Sequence, residues 1–180
     1  MLPDTLTPTV MEPEWSSQRR QLEAALRRIE HVDVKRSQMT RDGGRAYVVE
    51  VYAFETSKNR IPTNAGRLEC RKVSSNAIAH VERRCSAFSD LRCHIYNHVF
   101  EAHEVTPCDF CQRMINEIVW GGSKPTSTLN WMASEETRTR KLAKSVAALL
   151  EIVQCEYAES RICSGQEKVH QALHNFLLTE

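Results

Sequence analysis

"VERRCSAFSDL", residues 81–91, changes its hydrophobic period in the middle. Apolar and polar residues alternate up to Cys85. From Ser86 the apolar positions Phe88 and Leu91 lie three apart, which predicts a strand running into a helix with Ser86 as its N-cap. Successive strand side chains point to opposite faces, so Arg83 and Arg84 cannot serve one ligand together, and one of them is expected to be structural or solvated. The other stands beside the unpaired N–H groups of a helix start. There the exposed donors and the helix dipole both favour an anion, phosphate above all.

On the N-terminal side of this junction, "HVDVKRSQM" and "RAYVVEVYAFE" alternate in the same way, with Val32, Val34, Tyr47, Val49, Val51 and Ala53 on one face. The intervening "RDGG" is an Asp-Gly turn signal, so the two segments predict a hairpin, and "NAIAHVERRC" supplies a third strand. Ahead of the hairpin, Leu22, Ala25, Leu26 and Ile29 share one face of a short amphipathic helix. Residues 55–75 carry no sustained period and read as a long connection. Beyond the junction the pattern is helical over about 86–101, 108–120, 134–156 and from about 165. Leu142, Val146, Leu149, Leu150 and Val153 form a core-facing stripe. Ser164 and Glu167 are spaced as a capping box ahead of Val169, Leu173, Phe176 and Leu177. The fold class predicted is α+β: a three-stranded antiparallel sheet followed by a helical subdomain. Residues 1–13, with three prolines, read as a flexible tail, 14–155 as one domain with its N-terminal helix, and 164–180 as a C-terminal helix.

Length and charge narrow the function classes. At 180 residues and 41% hydrophobic, the chain suits one core. A net charge of +1 gives no global pull toward nucleic acid. The N-terminus lacks a basic region followed by an apolar one, no run of about 18 apolar residues occurs, and seven cysteines follow no regular framework. A cytosolic protein with reduced thiols is expected. No phosphate-cradling glycine loop or catalytic cysteine signature is present, so no enzymatic activity is expected.

The order of these elements, with "RRCSAFSDL" and the later "RTRKLAKSVAALLEIV", resembles the phox-homology (PX) domain family over roughly residues 29–153. The Cys-x-x-Cys of "PCDFC" looks most like the divergent variant of oomycetes. The resemblance implies a module that binds phosphoinositides, usually 3-phosphorylated, at cytosolic surfaces such as endosomal membranes. On it, Arg84 matches the arginine that holds the 3-phosphate, beside the helix start at Ser86. Arg138 matches the arginine that contacts inositol hydroxyls, and Lys124 the lysine near the 1-phosphate. Leu129 and Trp131 would be the apolar tip that enters the bilayer. A planar guanidinium suits phosphate because it donates two parallel hydrogen bonds. The chain departs from the family where its stacking tyrosine is Cys85, and in having fewer prolines around Lys124. A PX-like fold turned to protein partners without lipid binding is the first alternative, and a zinc-stapled helical interaction domain is the second.

Each residue also has a plainer reading. Arg84 can be a surface charge, Arg138 a helix-face partner of Glu135 or Glu136, and Leu129 and Trp131 packing under a loop. Cys108 and Cys111 have zinc-like spacing, with His94, His98 and His103 upstream, so a two-His, two-Cys site can be written down. Cys111 reads more simply as a small core residue, and no cofactor is expected. His170 and His174 are expected to face solvent.

Overall fold

The alternating segments pair as their periodicity demands. The structure, a computed structural model, describes residues 13–36, 46–54, 76–122, 134–155 and 163–179. Helix α1 (Pro13–Arg28) leads directly into β1 (Ile29–Arg36), followed by β2 (Ala46–Ala53) and β3 (Ala79–Arg84). The strands form one antiparallel sheet in the order β1-β2-β3, with Val32 opposite Val51 and Val49 opposite Val81. Four helices follow: α2 (Cys85–Glu101), α3 (Asp109–Trp120), α4 (Glu135–Cys155) and α5 (Ser164–Leu178). The N-terminal tail, the Asp-Gly turn, the 55–75 connection, Lys124, Leu129 and Trp131 lie outside the described residues.

One face of the sheet is apolar and buried. Val32, Val34, Tyr47, Val49, Val51 and Val81 are all 7% exposed or less and join one core with the expected stripes of α4 and α5. The opposite face is polar, where Lys35 Nζ sits 2.6 Å from Glu50 Oε2 and the Tyr52 hydroxyl donates to the same carboxylate. Helix α5 is thus part of the single core. Phe176 meets Phe88 of α2 edge-on, and Phe88 meets Tyr47 of β2 in the same way.

Two helix starts come earlier than expected, by two residues at α2 and by one at α5. β3 stays paired with β2 as far as Arg84, opposite Ala46, so this extended last strand residue is itself the N-cap of α2 and Ser86 falls inside the first turn. At α5 the N-cap is Cys163 rather than Ser164. Its sulfur accepts the hydrogen bond from the Gln166 backbone N–H at 3.3 Å.

The expected exposure of His170 is also corrected, since the residue is 4% exposed. Helix α5 packs against α1, α2, α3 and the sheet, which leaves little of its circumference in water. His170 lies edge-on to Phe110, with Nδ1 3.8 Å from Glu23 Oε1. Burial holds the imidazole below its ordinary value of 6.5. Glu23 opposes the shift, and Arg19 and Arg27 reinforce it. The unfolded chain therefore takes up a proton at a pH where the folded chain does not, and stability falls as pH drops below about 6.5. Urea midpoints measured on either side of that pH should diverge less in His170→Leu than in wild type. Equal divergence would show that His170 does not drive the acid sensitivity.

Candidate anion junction and thiol cluster

The two arginines at the β3–α2 junction divide their work as alternation requires. Arg83 shares the core-side face with Val81 and reaches the C-terminus of α5. There its Nε donates to the Phe176 carbonyl at 3.1 Å and its Nη2 donates to the Asn175 carbonyl at 2.9 Å and to that of Thr179. The guanidinium also lies 5.5 Å from the centre of the Phe176 ring. A cation on the last carbonyls of a helix complements its dipole, so Arg83 is the structural one. Arg84 points the other way and is exposed.

Helix α4 brings Arg138 to this junction. The residue is 9% exposed, its Nη1 lies 3.4 Å from Glu135 Oε2, and its guanidinium interacts with Tyr47, which stands opposite Arg83 in the β2–β3 ladder. Burial pushes the Tyr47 phenol up while Arg138 beside it pulls the other way. The plainer expectation for Arg138, an ion pair with Glu135, is therefore present together with an interaction with Tyr47 of β2. Ser86 is exposed in the first turn of α2. That turn carries no acidic residue and receives no side-chain cap from Arg84, whereas the first turns of α3, α4 and α5 each contain an Asp or Glu. Among these four helices, α2 has the start most favourable to an external anion.

A buried arginine absent from the sequence-level candidates stands on the same helix. Arg92 is 5% exposed, and its Nη2 donates to the carbonyls of Glu117 and Ile118, each at 3.0 Å, while Nη1 donates to Ser145 Oγ at 3.2 Å. It binds the end of α3 to α2 and α4. Its signal in the sequence was only its place beside Leu91 on the apolar side of an amphipathic helix.

The second cluster forms where three helix ends meet. His103 lies in the link after α2, Cys108 is the N-cap of α3, Cys111 sits in the first turn of α3, and Cys163 is the N-cap of α5. Their ligand atoms all lie within 4.8 Å of one another. The Cys163 sulfur is 3.7 Å from that of Cys108 and 3.5 Å from that of Cys111. Cys111 is 0% exposed, and the Nε2 of His103 is buried without a hydrogen-bond partner. Burial, and then hydrogen bonding with Cys163 and Cys108, pushes the Cys111 thiol strongly upward.

Close approach of α5 depends on Gly165, where a Cβ would stand 2.7 Å from the Ala102 Cβ and 3.2 Å from the Cys111 sulfur. Of the histidines named beside the Cys-x-x-Cys, only His103 joins the cluster. His94 and His98 instead face an open groove of about 470 Å³ between α2 and α5, which Arg83, Lys168 and Gln171 also line. Sequence reading missed Cys163 as a partner, because it lies 52 residues beyond Cys111.

Comparison with protein-family models, with curated proteins and with solved structures found no match to this chain. No described helix is long and apolar enough to cross a membrane.

Proposed function

We propose that the chain is a non-catalytic, PX-like module that binds phosphoinositide head groups at the cytosolic face of endosomal membranes. The observation that supports this reading is the start of α2, where the exposed Arg84 is the N-cap, no side chain caps the helix and the first turn carries no acid. Arg84 and the first-turn N–H groups around Ser86 take the phosphate, and Arg138, oriented by Glu135 and Tyr47, takes ring hydroxyls. Lys124, Leu129 and Trp131, which lie outside the described residues, supply a second phosphate contact and the apolar anchor in this reading. A single head group binds modestly, so such an anchor is required for residence on a membrane. Cys85 in place of a stacking aromatic leaves the affinity to the charges.

The test is co-sedimentation with phosphatidylcholine vesicles with and without a few per cent of each phosphoinositide, at physiological salt. Wild type should pellet selectively with one or more phosphoinositides, and Arg84→Ala should bind those vesicles roughly 10- to 100-fold more weakly, the loss of one charge-assisted contact. Equal binding by the two proteins, or none by wild type, would reject the reading. Binding of a protein partner to the exposed Phe100 of α2, whose ring stacks on the half-buried Tyr96 at 5.8 Å, would then be the better account.

A further inference from the structure

We infer that His103, Cys108, Cys111 and Cys163 bind one structural zinc ion that clamps the N-terminus of α5 to the α2–α3 link. With Zn–S bonds near 2.3 Å, a tetrahedron has S–S edges of about 3.8 Å. The 3.7 Å and 3.5 Å separations to Cys163 come close to those edges, and the fourth ligand is a buried imidazole nitrogen. A disulfide would instead need sulfurs about 2.0 Å apart and would pair only two of the three.

Three cysteines and one histidine fill all four tetrahedral positions, which leaves no open position for water or substrate and marks the site as structural rather than catalytic. Soft sulfur with one imidazole selects zinc over magnesium or calcium, which take oxygen ligands. Three thiolates outweigh the charge of the cation by one. That excess sits at the N-termini of α3 and α5, where backbone N–H groups and helix dipoles favour negative charge, and Gln166 N–H already points at the Cys163 sulfur. Binding displaces three thiol protons to solvent and involves no redox change.

The clamp reaches beyond its own neighbourhood. Helix α5 is 15 residues long, about 22 Å, with the cysteine cluster at its N-terminus and Arg83 on its C-terminal carbonyls. Zinc therefore holds one end of the helix whose other end positions the β3–α2 junction. The inference stands on the cluster alone and does not depend on lipid binding.

Metal analysis of full-length protein purified without chelator from zinc-supplemented medium should find about one zinc per chain. Titration of that protein with a mercurial reagent should release zinc in step with loss of the cluster thiols. Cys163→Ser should lose the metal, while Cys93→Ser, which alters an exposed cysteine outside the cluster, should keep it. Gly165→Ala should bind zinc at least tenfold more weakly, because the added methyl forces α5 away from Cys111. Should Cys163→Ser fail to fold, the mercurial titration of wild type still decides. Folded wild-type protein with less than about a tenth of an equivalent of zinc, or zinc retained once the cluster thiols have reacted, overturns the inference.

Discussion

Phe88→Ala is expected to cost about 4 kcal/mol of stability and to lower the melting temperature by roughly 10 °C. Phe88 is 1% exposed and stands in the second half of the first turn of α2, with its ring edge-on to Tyr47 at 6.3 Å and to Phe176 at 5.1 Å. Truncation would remove the shared contact of the sheet, α2 and α5, and the cavity could not close unless all three moved. Phe100→Ala on the same helix is the control, since Phe100 is 63% exposed and should cost under about 0.5 kcal/mol. Urea melts of the two variants and wild type measure the difference. A cost below about 1 kcal/mol at Phe88 would mean that the three elements do not share this contact.

Arg92→Met is expected to cost about 3 kcal/mol, although methionine nearly matches the arginine stem in shape. The loss comes from what remains behind: the Ile118 carbonyl and the buried Ser145 hydroxyl lose the Arg92 donor, and the Glu117 carbonyl keeps only the Gly121 N–H. Arg92→Lys should recover little, because one ammonium cannot span the acceptors that the guanidinium fork reaches. Hydrogen exchange adds a local readout. Amides of 109–120 should exchange faster in Arg92→Met while those of β2 keep their protection, and uniform exchange would show that Arg92 does not hold α3 in particular.

Much of this architecture could be read before any coordinates. The alternation in β1 and β2, the Leu142–Val153 stripe and the apolar face of α5 all became core, because period and burial are two views of one constraint. The opposition of Arg83 and Arg84 was equally legible. Which of them would be structural was not, since that depended on where the C-terminus of α5 came to rest. The N-cap of α2 lies two residues before Ser86 and that of α5 one before Ser164, because cap propensity alone takes no account of the strand pairing that carries Arg84, or of the thiol that caps α5. His170 was misjudged because its helix packs against several neighbours rather than one.

By itself, then, the sequence determined the α+β class, the order of the elements, the faces they bury and the local placement of Arg84 and of the Cys-x-x-Cys. Each of these follows from side-chain period and backbone chemistry within about 20 residues. Only the tertiary structure decided that Cys163 and His103 complete the cysteine cluster, that Arg138 meets Tyr47 of β2, and that Arg83 and Arg92 hold helix ends. The reason is physical. Period reports whether a side chain is buried, whereas the partner it is buried against is set by how helices and sheet pack, and at the cysteine cluster that approach depends on the missing side chain of Gly165.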